Sequence, residues 1–366
     1  MKSPLHSLHE ELGATFTTFM EYEMPLKYTS IQDEHLNVRR NVGIFDVSHM
    51  GNLFVRGKDA EEFISKVTVG DVSQAGIGMG QYTVILKEDG TIIDDEVFLH
   101  LENEYLFIPN AGRSKTIEGW FKKNSYGMDV EIEDVSQKFA IIAVQGPSSK
   151  ECLQEVINID LESLALFVCK ELQREEMGLD MDARCIISRT GYTGERGYEF
   201  YISPGEEGIK LFKKVLEVGK KYGIKPVGLG ARDTLRLEKC FALAGNEFEG
   251  GRTPLEAGLQ WLIHWDHDFI GKEALLKQKE KDYEKLSFLE CIDAGIPRHG
   301  YKVEKDGKEV GKVTSGTFSP CLKKGIAMAY VKPGYRDIGN ILEIVTNGKK
   351  IKAQIIKPPF VKKGTC

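Results

Sequence analysis

Apolar and polar positions alternate through residues 81–110, QYTVILKEDGTIIDDEVFLHLENEYLFIPN. A period of two predicts strands, and the segment reads as three short antiparallel ones. Asp89-Gly90 is a tight hairpin signal of the primed type, because such turns need positive φ. Along the middle strand Ile93, Asp95, Val97 and Leu99 point one way. Ile92, Asp94, Glu96, Phe98 and His100 point the other. Elsewhere the spacing is helical. Residues 34–40 and 60–67 predict helices, the latter with Phe63, Ile64 and Val67 on one side. So do 113–123, with Ile117, Trp120 and Phe121 inward, and 148–156. Residues 207–222 form a long amphipathic pattern with Ile209, Phe212, Val215 and Leu216, and 231–243 predicts one more helix. Segment 130–144 alternates, then turns apolar, and stops at Gln145-Gly146-Pro147. Residues 183–189 and 197–202 read as a strand pair around a loop. From about 287 the pattern changes to short strands and turns at Asp306-Gly307, Gly311, Gly316, Gly334 and Asn347-Gly348, which predicts a small all-β barrel or sandwich. The expected class is therefore α+β with a C-terminal β domain.

At 366 residues the chain exceeds one compact core and implies two or three domains. A formal charge of -6 argues against nucleic acid as the main ligand, although Lys323-Lys324 and Lys362-Lys363 are short basic pairs. The 7 cysteines form no CxxC pair and no zinc spacing with histidine, which suits a reducing, cytoplasmic setting. No HExxH, EF-hand or phosphate-loop pattern is present, so no metal site is expected. The first residues lack the apolar stretch of a signal peptide, and no apolar run is long enough to span a membrane. The glycines at 76, 78 and 80 follow a polar stretch rather than a strand, and those at 228 and 230 lack a third partner. Neither group supports a dinucleotide site.

Asp94-Asp95 interrupts a strand with two poor strand formers, and such a local conflict is a place to look for function. Four further segments stand out: GIFDVSHM (43–50), YTGERGYEF (192–200), GLGARDTLRLE (228–238) and TSGTFSP (314–320). With IIDD, and in this order, they resemble the T-protein (aminomethyltransferase) family of the glycine cleavage system, over about 5–361. That resemblance implies a three-domain cloverleaf around a central folate cavity: 1–51 with 135–275, then 52–134, then a barrel-like domain at 284–362. It also implies transfer of a one-carbon unit from an aminomethylated lipoyl carrier protein (H-protein) to tetrahydrofolate, with release of ammonia.

Carried over by motif, Asp94 is the expected catalytic carboxylate, while Asp95 is expected to make a strand-end hydrogen bond. Opposite faces should weaken any coupling between the two. Met50, Tyr82, Asn110, Tyr192, Glu199 and Arg232 are the expected folate-binding residues. A carboxylate such as Glu199 can accept two parallel N–H bonds from an aminopyrimidine edge, and the Arg232 fork suits carboxylates. Arg298 is expected at the entry of the lipoyl arm. Glu195 is read as a turn cap or ion pair, and His49 as structural. The family often has Gly-Trp where this chain has Glu21-Tyr22, and 111–115 is also atypical. Two other readings stay open: a tetrahydrofolate-dependent demethylase of the same superfamily, and a non-catalytic folate-binding module. The second would carry a KGCYxGQE-type motif, which Lys239-Cys240-Phe241-Ala242 does not match.

Overall fold

The computed structural model describes residues 1–346, 348–362 and 366. Asn347, of the expected Asn347-Gly348 turn, and Lys363, of one basic pair, lie outside the described residues. The chain divides into two compact units, Met1–Thr83 with Asp94–Arg232, and Val84–Ile93 with Asp233–Cys366.

The first unit is built on a six-stranded sheet. Its order is Cys169–Leu172, Arg184–Ser188, Gly197–Ser203, Ala140–Gln145, Gly43–Asp46 and Lys225–Pro226. All neighbours are antiparallel except the last pair, which is parallel. The central strand Ala140–Gln145 is buried along its whole length, which explains why the alternation of 130–144 ends in a continuous apolar run. Helix Gly208–Gly219 lays Leu211, Phe212 and Val215 into the core with Ile44, Ile142, Val144, Phe200 and Ile202.

The five-stranded sheet orders Gly80–Leu86, Ile92–His100, Tyr105–Ile108, Leu53–Arg56 and Glu131–Asp134. Helices Ala60–Val67 and Ser114–Asn124 contribute Phe63 and Phe121, whose rings meet edge to face at 5.4 Å; Phe121 meets Phe107 of the sheet at 5.1 Å. The Asp89-Gly90 turn differs from its expectation. Lys87 N–H donates to the Thr91 carbonyl at 2.9 Å, Gly90 N–H donates to the Lys87 carbonyl at 3.0 Å, and Gly90 carries a φ of 81°. The link is a three-residue loop with glycine in the left-handed region, because the Asp89 carboxylate accepts from Thr91 N–H and Oγ1 and holds its own backbone out of that region.

The second unit contains a closed barrel of Lys285–Cys291, Lys324–Val331, Lys308–Ser319, Lys302–Lys305, Ile341–Thr346 and Lys349–Ile356, the last pairing back with the first. Leu289, Val313, Ala327, Ala329, Ile344 and Ala353 fill it. Asp306 and Gly307 both have positive φ, as the hairpin signal there requires. Helix Leu229–Glu238 ends earlier than its periodicity predicts. Cys240 turns left-handed at φ 63°, and Phe241 N–H closes on the Arg236 carbonyl at 3.0 Å. The cysteine reading is corrected in part: Cys321 and Cys366, 45 apart in sequence, approach to 5.1 Å between Cα atoms and form a disulfide, while the other five remain free.

Phe212 is 0% exposed in the first unit's core. Phe212→Ala should lower unfolding stability by about 3–5 kcal/mol, read by chemical denaturation.

Candidate active site

Asp94 and Asp95 are held by one neighbour. Asn110, just past the end of strand Tyr105–Ile108, donates its backbone N–H to Asp94 Oδ2 at 3.0 Å and its amide Nδ2 to Asp94 Oδ1 at 2.9 Å. The same Nδ2 lies 2.9 Å from Asp95 Oδ1 and 2.7 Å from the Asp95 carbonyl oxygen. Asp94 is wholly buried, and each of its oxygens accepts a bond from Asn110. Asp95 is half-buried and accepts the Tyr82 phenol at 2.7 Å. Burial, then the negative charge of Asp95, push the Asp94 carboxyl up to about 7; the Asn110 donors and the Arg113 cation pull the other way. The expected weak coupling of the two aspartates is thus overturned. A single amide reaches round the strand to both, and the Asp95 field acts on Asp94 directly.

Tyr82, Tyr192, Glu199 and Arg232 are brought together. The Arg232 guanidinium lies over the Tyr192 ring at 4.8 Å and feels the Glu199 carboxylate. Tyr192 in turn adds to the field at Tyr82, which bonds Asp95. Glu199 Oε2 accepts the Thr190 hydroxyl and, at 3.5 Å, the Tyr201 phenol. Nη1 of Arg232 is covered and, among the described residues, has no acceptor.

The loop carrying Tyr192 is shaped by Gln145. That side chain is wholly buried, accepts Thr193 Oγ1 at 2.9 Å and donates to the Thr190 carbonyl at 3.1 Å. A Cβ at Gly191 or Gly197 would meet Gln145 atoms at 2.0 and 2.2 Å, which is why glycine stands at both places. Glu195 pairs with Arg39 at 2.9 Å, the turn-anchoring role expected of it. Met50 stands beside Gly51, whose N–H donates to the Pro109 carbonyl at 2.7 Å, one residue before Asn110.

The description of the GCVT N-terminal domain matches residues 5–267, and that of the glycine cleavage T-protein C-terminal barrel domain matches 285–362. The chain belongs to the glycine cleavage T-protein family. An aminomethyltransferase of Thermosipho melanesiensis is 43% identical over 360 residues, covering 98% of this chain and 96% of that protein. A probable aminomethyltransferase of Thermococcus kodakarensis is 41% identical over 382 residues, covering 96% and 94%. The crystal structure of the glycine cleavage system aminomethyltransferase T from Bartonella henselae superposes with a TM-score of 0.90 at 30% identity, covering 99% of this chain and 98% of that one.

Two residues of the T-protein motifs stand apart from this cluster's hydrogen bonding. His49 is buried, with the Phe19 ring edge-on at 5.4 Å and Nδ1 unpartnered. Burial, then the Arg232 cation, hold its imidazole down at about 3, so it stays neutral and is a poor proton carrier near neutral pH. Arg298 belongs to the second unit, where it is exposed and donates to the Gly316 carbonyl at 3.4 Å. The helix-start pair considered between Arg232 and Asp233 is replaced: Asp233 takes the Arg236 guanidinium at 2.9 Å. Sequence reasoning missed the organising role of Gln145, whose only signal was its place before Gly146-Pro147.

The Asp94 shift has a sign that can be measured. An unfolded chain loses the Asp94 proton in the ordinary carboxylate range, while the native state keeps it to about 7. Native stability therefore falls as pH rises across that window. Between about pH 4.5 and 7.5, wild type should lose on the order of 1–3 kcal/mol more stability than Asp94→Asn. Parallel slopes in urea unfolding would contradict the shift.

Proposed function

We propose that this aminomethyltransferase passes the one-carbon unit of an aminomethylated lipoyl carrier protein to tetrahydrofolate and releases ammonia. The observation that carries the reading is the Arg232–Tyr192–Glu199 cluster beside Tyr82 and Asp95. A covered guanidinium N–H without an acceptor among the described residues, beside a carboxylate, suits a ligand that presents an acceptor and donors on one edge. A pterin does so, and Tyr192 supplies an aromatic wall for its ring. Tetrahydrofolate supplies the nitrogens that take up the carbon. Glu199 and Arg232 fix the ring, and Met50 and Asn110 border the same strand ends as the aspartates.

Asp95 is the carboxylate we place against the substrate. It is half-buried and reaches Tyr82, whereas Asp94, the aspartate expected from motif order, is wholly buried with each oxygen bonded to Asn110. Asp95 would orient the folate amine and stabilise positive charge at the one-carbon centre; much of the remaining acceleration would come from positioning. Asp94 then acts behind it, through Asn110. Arg298 as a guide for the lipoyl arm, the division at 1–51 with 135–275, 52–134 and 284–362, and a cytoplasmic setting belong to the same proposal. Among the described residues no helix is long and apolar enough to cross a membrane.

Ammonia release from aminomethylated carrier protein with tetrahydrofolate tests the reading. Asp95→Asn should lower kcat by about 100-fold or more, with folate affinity changed only a few-fold; Asp94→Asn should cost about tenfold or less. The reverse order would return the catalytic place to Asp94, and wild-type folate binding without ammonia release would sink the donor assignment.

A further inference from the structure

Strand Ile92–His100 carries a third carboxyl, Glu96, two residues beyond Asp94 and hence on its face. Glu96 is 2% exposed, and among the described residues neither of its oxygens has a hydrogen-bond partner. Tyr82 reaches Asp95, so those two share one face of the hairpin. The alternate positions Gln81 and Thr83 then lie on the face of Asp94 and Glu96. On that face Gln81 Oε1 and Thr83 Oγ1 are also buried without partners, and the Gln81 amide nitrogen donates at 3.3 Å to the Asp71 carbonyl. Buried polar atoms are nearly always paired, and each unpaired one costs about 1–3 kcal/mol. A leucine at position 96 would avoid that cost. Four such atoms on one face of one hairpin, directly behind a carboxylate pair, call for a use.

We propose that Glu96 is a proton store for the Asp94-Asp95 pair, exchanging its proton with Asp94 along the polar face that Thr83 and Gln81 complete. This rests on the functional reading above. In the exchange the Glu96 O–H bond breaks and an O–H bond forms on Asp94; the negative charge moves the opposite way, and no electrons change hands. Over one turnover two N–H protons leave the folate nitrogens, one going to the departing amine and one to the released sulfur. Glu96 ends as it began, so it buffers the carboxylate pair while those transfers occur. The groups that face it support a neutral resting form. Burial, then the charges of Asp94 and Asp95, hold its carboxyl well above the usual carboxylate range. Asn110 and Arg113 act on Asp94, and the Tyr82 phenol on Asp95. Thr83 can both donate and accept, as a relay must. Glu96 is thus a positioning residue for a proton and need not touch the substrate.

Full-length Glu96→Gln and Glu96→Leu test this. In infrared difference spectra about two pH units above the Asp94 midpoint, where Asp94 is ionised, wild type should show the carbonyl stretch of a protonated carboxylic acid, lost in both variants. Both should bind tetrahydrofolate within about twofold of wild type. Both should lose about tenfold or more in kcat, with an altered alkaline limb of the pH–rate profile. Wild-type kcat and profile in Glu96→Leu would overturn the proposal, and so would the absence of the protonated-acid band. Should Glu96→Leu fail to fold, Glu96→Gln carries the same readings. If wild type neither binds tetrahydrofolate nor releases ammonia, the functional reading fails, and the infrared band still decides whether Glu96 holds a proton.

Discussion

One amide group sets the character of this site. Asn110 offers a backbone N–H and two side-chain N–H bonds, and the Asp94-Asp95 pair takes all of them. Two adjacent carboxylates in a half-buried strand repel each other, and a site that must enclose one of them keeps that one close to neutral. Enclosure decides which. Asp94 has no exposure, and burial with the Asp95 charge holds its proton to about 7, although Asn110 bonds both of its oxygens and pulls the other way. Asp95 is left to meet Tyr82 and, through it, the aromatic and charged residues of the neighbouring loop. The strand that looked like a violation of β propensity is a device for placing two like groups in unlike surroundings.

The second half of the site depends on a comparable trade. Tyr192 and Glu199 bracket a glycine-rich loop and the strand that follows it. That loop closes over Gln145, which replaces the missing backbone partners with its own amide and leaves no room for a Cβ at Gly191 or Gly197. The result is a rigid edge on which Arg232 can lie over Tyr192 while keeping an N–H unspent. Rigid placement of a few polar groups against an aromatic wall is what recognition of a flat heterocycle requires.

Much of this was legible in the chain. The three-strand pattern of 81–110, the helix at Ala60–Val67 and the change to short strands after 287 follow from periodicity alone, because in each the buried face repeats regularly. The helix after Gly228 was overextended, since nothing in its apolar spacing announces that Cys240 will turn left-handed. Motif order located Tyr192, Glu199, Arg232 and Asn110 well enough that the structure finds them in interacting sets. It named Asp94 from motif order, without sight of the surroundings that set Asp94 and Asp95 apart. Two neighbours on a strand differ only in which face is enclosed, and that is fixed by Asn110 and Tyr82, 16 and 13 residues away in sequence. The Cys321–Cys366 disulfide was equally hidden, because a separation of 45 residues carries no spacing signal.

The most direct test follows the Asp94 carboxyl carbon by NMR in protein labelled at aspartate side chains, in wild type and Asn110→Ala. Wild type should titrate near about 7, and loss of the Asn110 amide should move the midpoint higher, since that donor favours the charged form. A midpoint in the ordinary carboxylate range, or one unmoved by Asn110→Ala, would contradict the role given to Asn110.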